Sequence, residues 1–398
     1  MASLIKKEQP TLKKTLSTLD SLANNLNKKY GKVIMGRIGN NEAIKDKLTI
    51  RFIPTPCRAL NEATGGGLPR GRCTLVTGMP DSGKTSILLE TIAKNMAKDP
   101  EFVAGWLESE NSLELDYIVK TFGIDPERFF FMKYDSKLGA EVMLDIVQNI
   151  ISSEDVRMDM FCINSLKCLV PTKEVEASLS DALVALQARM NARLTRKFTS
   201  LVSENDTAFV MVCHLGTDIG SMSRDPLVIS GGHAIKYWSS LTMDLRKHAI
   251  MAGDLINKEE GIKVCVTIKK NHCLPAINPY RKVEYYAIFG EGIEQILSNL
   301  EDAIAAGIIE KKGNWLYWMK DGKQYEKFSG KNAFRTFMKD NPDKWEEFNS
   351  MLEGCGVKSL TADEIDEIKA EEKLIDENIV YDDSEEDKLI DTINKESA

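Results

Sequence analysis

The chain has no pair of cysteines spaced C-x-x-C, although it contains eight. Cys57, Cys73, Cys162, Cys168, Cys213, Cys265, Cys273 and Cys355 are scattered, which argues against the paired thiolates of a zinc ribbon or finger. Several fall inside apolar runs, as buried free thiols do, and a reducing compartment is expected. Histidine is scarce, and His214, His233, His248 and His272 show no metal-ligand spacing. No apolar run approaches the ~18 residues of a membrane span. The stretch from Met1 to Lys14 lacks the apolar centre of a secretory signal. A soluble cytoplasmic protein with no membrane partner is expected.

Basic charge is also in short supply overall, with a net of −8. Its distribution matters more than its sum. Residues 361–398 hold 15 Asp and Glu against 4 Lys, a net of −11, which leaves the other 360 residues at +3. A mildly basic body carries an acidic tail. Such a tail is a solvated solubility element, or a tethered anion that competes with nucleic acid for a basic surface.

What the sequence does contain is a phosphate loop. The apolar run Cys73-Thr74-Leu75-Val76 leads into Gly78-Met-Pro-Asp-Ser-Gly-Lys84-Thr85, and a helical pattern (Ile87, Leu88, Ile92, Met96) follows. This is G-x-x-x-x-G-K-[ST] between strand and helix. Gly78 and Gly83 let the backbone close around an anion. Amides along Asp81, Ser82, Gly83, Lys84, Thr85 and Ser86 can point at phosphate oxygens. Lys84 can reach the β- and γ-phosphates, and the Thr85 hydroxyl can ligate Mg2+. ATP with Mg2+ is the expected cofactor.

From about Ile53 to Gly292, β runs alternate with helical patterns, which predicts a mainly parallel sheet with helices on both faces. Strands are expected at Thr74–Thr77, Val103–Leu107, Phe129–Met132, Met160–Ile163, Phe209–Cys213, Leu241–Leu245, Val264–Ile268 and Val283–Phe289. Helices are expected at Leu113–Phe122, Glu141–Ile151 and Leu179–Leu201. The later strands lack long helices between them, so that edge should be antiparallel. Four regions result: an N-terminal helix-and-strand segment (1–52), an α/β nucleotide-binding core (53–296), a small α+β domain (297–360) and the acidic tail (361–398). The first region carries a helix from Pro10 to Tyr30, with Leu12, Leu16, Leu19, Leu22 and Leu26 in one stripe, and a short β run Val33–Ile38. That stripe must pack on its own core or on another subunit. The long Gly- and Ser-rich stretch Gly216–Gly232 reads as a functional loop. Trp315 and Trp318 read as core of the small domain.

Hydrolysis requires an acid to orient water. Glu108 and Glu110 sit two residues apart at the end of the second β run, where alternation aims both toward the crevice of a parallel sheet. Glu110, just beyond the strand, is the candidate base. The run Met160–Ile163 occupies the place of a Walker B strand but ends in Asn164-Ser165 rather than Asp. An asparagine can hold a metal-bound water but brings no negative charge, so slow turnover is expected.

Gly-Gly-Leu-Pro-Arg-Gly-Arg (66–72), the loop at Gly78–Thr85, Glu110, Ser230-Gly231-Gly232, Lys270-Asn271 and Phe289-Gly-Glu-Gly292 occur in this order. Together they resemble a RecA-type DNA recombinase, and within that family the phage UvsX-like branch. The resemblance implies a RecA-like core with DNA-binding loops over 53–296, oligomerisation through 1–52 and DNA-dependent ATP hydrolysis. It also implies helical self-assembly on single-stranded DNA and exchange with a homologous double-stranded DNA, with loader or single-strand-binding proteins as further partners. It assigns Glu110 to water activation and Glu114, Tyr117 and Phe289 to adenine. His214 falls at the γ-phosphate sensor, and Lys270 and His272 at positions that reach ATP across a protomer interface. Arg189, Arg196, Ile219, Ser230, Gly231, Gly232 and His233 fall on the DNA side, with Leu179–Val184 as a first DNA loop and Gly216–Gly232 as a second. Asn164 departs from the family's acid. Two other readings stay open: a hexameric helicase or motor on the same core, and an ATP-gated DNA-binding scaffold with little hydrolysis.

Overall fold

A computed structural model describes residues 11–178, 186–217, 227–229, 233–248, 261–273 and 281–353, with backbone alone at 216, 217, 227–229 and 233. It divides into two compact units, up to Arg51 and from Phe52 onward.

The first unit carries helices α1 (Leu12–Tyr30) and α2 (Glu42–Leu48). Gly31, at φ 66°, takes the left-handed conformation that ends α1. Of the leucine stripe, Leu12, Leu19, Leu22 and Leu26 stay exposed, and Ala23 is the buried residue of the helix. The expected strand Val33–Ile38 does not form. Its backbone groups go to a side chain instead: Asn27 Oδ1 accepts from Ile34 N (2.7 Å) and Met35 N (3.1 Å), and its Nδ2 donates to Met35 O (2.8 Å). An extended run with no neighbouring strand finds its hydrogen bonds locally.

In the second unit, a two-stranded ladder, β1 (Phe52–Ile53) with β2 (Leu68–Pro69), flanks α3 (Arg58–Thr64). The main sheet contains β3 (Cys73–Gly78), β4 (Ala104–Glu108), β5 (Phe129–Lys133), β6 (Met160–Asn164), β7 (Ala208–Thr217), β8 (Leu227–Ile229), β9 (Leu241–His248), β10 (Gly261–Asn271), β11 (Arg281–Ile288) and β12 (Gly292–Glu294). Its order is β12-β11-β10-β9-β3-β7-β6-β4-β5. Pairings from β9 to β5 are parallel, and those from β9 through β12 are antiparallel. Both were expected from where the helices lie in the sequence. Helices α4 (Lys84–Lys98), α5 (Gly139–Ser152), α6 (Thr172–Glu176), α7 (Leu186–Glu204) and α8 (His233–Trp238) supply the covers. Alternation along β7 shows how: Val210 and Val212 join Ile87, Leu88 and Ile92 of α4 in one core, while Phe209 and Met211 join Val147 of α5 and Phe198 of α7 in another. A sheet buried on both faces reads as continuous apolar runs, which is why these strands were legible.

Two local expectations change. The helical pattern Leu113–Phe122 forms over 115–122, but its middle, Tyr117–Thr121, is π-helical rather than α-helical. The stretch after His214 is not all loop, because β7 runs to Thr217 and pairs antiparallel with β8 through Leu215–Ile229, Gly216–Val228 and Thr217–Leu227.

Helices α9 (Gln295–Ala305), α10 (Gly330–Asp340) and α11 (Pro342–Leu352) surround a three-stranded sheet of β13 (Ile309–Lys312), β14 (Trp315–Lys320) and β15 (Lys323–Ser329). Trp318 is buried at its centre with an edge-on contact to Phe348, 5.5 Å between centroids. Trp315 is not core: it is 43% exposed, with Lys327 Nζ 3.9 Å above its ring. Arg58 of α3 ties this part to the sheet by bonding Asp302 of α9 (2.8 Å) and the Leu352 carbonyl (3.3 Å).

Among the described residues all cysteines are reduced; Cys57, Cys73, Cys162, Cys213, Cys265 and Cys273 are buried and Cys168 is half-buried. Burial pushes the Cys57 thiol up to about 12 and the Cys273 thiol to about 11. No helix among the described residues is long and apolar enough to cross a membrane.

Candidate nucleotide site

The parallel strands end together, and their C-terminal ends carry the site. In register, Gly78 of β3 pairs with His214 of β7, and Glu108 of β4 pairs with Asn164 of β6. Gly78 cannot be replaced without collision, because a Cβ there would press on the Leu245 carbonyl oxygen and lie 2.7 Å from Ser82 Oγ. Asp81 at φ 58° and Gly83 at φ 84° adopt left-handed backbone that curls the loop into the N-terminus of α4. Lys84 is buried and folds back on the loop: its Nζ donates to Met79 O (2.7 Å) and Gly78 O (3.2 Å). Burial holds its ammonium below the usual lysine range, against the opposing charges of Glu110 and Asp81. Ser82 is buried, Thr85 and Ser86 are half-buried, and Asp81 is exposed.

Glu110 Oε1 lies 2.6 Å from His214 Nε2, and both side chains are one-fifth exposed. An ionised carboxylate only accepts, so the imidazole donates from Nε2 in this pair. His214 Nδ1 is buried without a partner. Sequence alone placed the two residues 104 positions apart; the sheet makes them neighbours.

The alternation that aims both acids toward the crevice does not hold for Glu108. This residue is instead 1% exposed and turned into the protein. Its Oε1 accepts from Glu110 N (3.1 Å), Ser112 N (3.2 Å) and Ser112 Oγ (3.1 Å). Its Oε2 accepts from Trp106 Nε1 (2.9 Å) and Asn164 Nδ2 (3.0 Å). The hint in the sequence was the pair of acids two residues apart; what it lacked was the register that sets Asn164 beside the first. Asn164 is fully buried, and its Oδ1 has no partner. A buried acceptor left open fits a hydrated Mg2+.

Other expected positions are more dispersed. Glu114, Tyr117 and Phe289 are exposed, Phe289 at 63%. Lys270 Nζ donates to the carbonyls of Lys236 and Tyr237, 2.9 Å each, at the C-terminal end of α8. Desolvation, then the charges of Lys270 and Arg72, hold the His272 imidazole below its ordinary range. Arg189 and Arg196 lie on the exposed face of α7. Ile219, Ser230, Gly231, Gly232 and the Leu179–Val184 loop lie outside the described residues, and of His233 the backbone alone is described. Absent ligand spacing did not keep one histidine from a cluster: the ligand atoms of His248, Cys265 and Glu284 lie within 4.8 Å of one another. Lys263 Nζ already holds Glu284 at 2.9 Å, so an ion pair accounts for that carboxylate.

A glycine-rich anion loop at the first strand–helix junction of a largely parallel sheet, faced by a carboxylate from the next crossover, defines a P-loop nucleotide-binding protein. The comparisons narrow that class. The family model for the RecA N-terminal domain matches residues 17–294. Protein RecA of Thermus aquaticus is 32% identical over 351 residues, covering 87% of this chain and 97% of that protein. Protein RecA of Citrifermentans bemidjiense is 30% identical over 342 residues, 85% and 95% of the two chains. Protein RecA of Bdellovibrio bacteriovorus is 30% identical over 353 residues, 87% and 88%. The chain belongs to the RecA family.

Proposed function

We propose that this protein is an ATP-dependent recombinase of the UvsX-like branch, cytoplasmic, that assembles helically on single-stranded DNA and exchanges that strand with a homologous duplex. The observation that carries the reading is the 2.6 Å Glu110–His214 pair beside Gly78. It supports a base and a sensor working together beside one phosphate loop, and β7 runs on to pair with β8, next to the stretch read as DNA-binding.

The roles follow from the chemistry of each group. Loop amides and the start of α4 bind the phosphates. Lys84 exchanges its carbonyl partners for phosphate oxygens. Thr85 and Asn164 Oδ1 would hold Mg2+, which when bound neutralises phosphate charge. Glu110 takes the proton of the attacking water, and His214 meets the terminal phosphate. The histidine then shares its bonds between carboxylate and phosphate, and the change passes along β7 to the hairpin. Glu114, Tyr117 and Phe289 take the adenine. Arg189 and Arg196 meet the DNA backbone, together with the Gly231–Gly232 amides and their neighbours Ile219, Ser230 and His233, so binding is sequence-tolerant and salt-sensitive. Lys270 and His272 act across the protomer interface, and the exposed leucine stripe of α1 docks on a neighbouring copy.

Strand exchange with homologous and heterologous duplexes tests the function. Product that requires both ATP and homology is expected; product formation indifferent to homology, or closed rings in place of filaments by electron microscopy, would overturn it. The scaffold reading keeps one supporting observation, the neutral Asn164 where an acid is usual. Measurable phosphate release stimulated by single-stranded DNA rejects that alternative.

A further inference from the structure

The strand that ordinarily supplies an acid to the cation side of such a site supplies none here. A carboxylate nevertheless lies against that position. Glu108 is in register with Asn164 on the adjacent strand, and the two side chains are 3.0 Å apart. We propose that Glu108 is a positioning residue for the nucleotide site: it provides from β4 the charge that β6 lacks, and it fixes both Asn164 and Glu110.

The argument starts from donor and acceptor counting. A carboxylate can only accept, whereas a primary amide has one accepting end and one donating end. Glu108 therefore dictates which way Asn164 faces: Nδ2 toward the carboxylate, Oδ1 away from it. Oδ1 is the atom left buried and unpartnered, and an orphaned buried acceptor costs free energy unless something fills it. A water of a hydrated cation is a donor of the right kind. The carboxylate also polarises the amide, so the neutral oxygen behind it carries more negative charge than an isolated asparagine would. The same Glu108 binds the main-chain N–H of Glu110 and both donors of Ser112. One buried group thus sets the amide that faces the cation and the backbone that presents the base. Trp106 Nε1 closes the fifth bond and locks the carboxylate rotamer.

This inference rests on the phosphate-loop reading, so the experiment separates the two. Binding of a fluorescent ATP analogue is titrated against Mg2+ for the wild type, Glu108→Gln, the charge-swapped Glu108→Gln/Asn164→Asp, and Lys84→Ala, with thermal melting of each. Failure of the wild type to bind the analogue at all would sink the phosphate-loop reading itself. With wild-type binding intact, Glu108→Gln is expected to raise the Mg2+ concentration for half-maximal binding about tenfold, since a glutamine side chain tolerates either amide orientation. The swapped variant should return within about threefold of wild type, because the charge is back on β6. A double variant as impaired as the single one would overturn the proposal and leave Glu108 a purely structural residue. If Glu108→Gln does not fold, Asn164→Leu decides. It leaves four of the five Glu108 bonds and removes the orphan oxygen. An unchanged Mg2+ dependence in that variant would equally overturn the proposal.

Discussion

At the residue scale, the site separates two carboxylates by burial and by what they touch. Glu108 spends all its acceptor capacity inside the protein, while Glu110 keeps one contact, to His214, and some exposure. Only the second is free to meet a water. Glu110→Gln should lower DNA-stimulated phosphate release by about a hundredfold or more while analogue binding stays near wild type; turnover equal to wild type in that variant would remove Glu110 from the chemistry. This much was legible in the sequence, since the spacing of the two acids and the end of the β run single out the pair. The division of labour between them was not. It depends on which strand lies beside β4, and Asn164, 56 residues away, becomes a neighbour only through the parallel register. His214 was placed by resemblance alone; its bond to Glu110 comes from the β7-β6-β4 order, which sets the ends of β7 and β4 on either side of β6.

At the scale of elements, the phosphate loop is the most constrained piece. Gly78→Ala would drive a methyl against the Leu245 carbonyl oxygen on β9. The neighbour is backbone, so it cannot swing away. A loss of about 2 kcal/mol is expected, read by chemical denaturation, together with loss of nucleotide binding; a substitution without effect on either would mean that β3 and β9 can part there. Buried strands and amphipathic helices were legible because their residue patterns follow the faces they cover. The misread elements were those whose partners lie elsewhere. Val33–Ile38 has strand composition but is satisfied by Asn27, and the Gly- and Ser-rich stretch after His214 hides the β7–β8 pairing behind loop-like composition.

At the scale of the whole molecule, the sheet and the C-terminal part share a titratable link. Asp302, between Arg58 and the surrounding acids Glu62 and Glu301, has its carboxyl pushed up to about 6 by burial, which outweighs the Arg58 attraction. The folded protein therefore holds this proton more tightly than the unfolded chain, whose aspartate titrates near 3.8. The resulting penalty is absent below that lower value and complete above the upper one, so stability contributed here falls as pH rises from 4 to 6. The difference in stability between wild type and Asp302→Asn should shift across that window, with the wild type relatively better at the acid end; a pH-independent difference would show that the ion pair dominates. Charge asymmetry along the chain was visible in the sequence, but this link was not, because Arg58 and Asp302 are 244 positions apart. The thiols have a practical side. With six of the seven described cysteines buried and five of those six hard to ionise, a maleimide dye reaching the described part of the native protein finds Cys168 first, three residues from Ser165. Once Cys355, which lies outside the described residues, is replaced, a fluorophore can thus be seated beside the nucleotide site on a native residue.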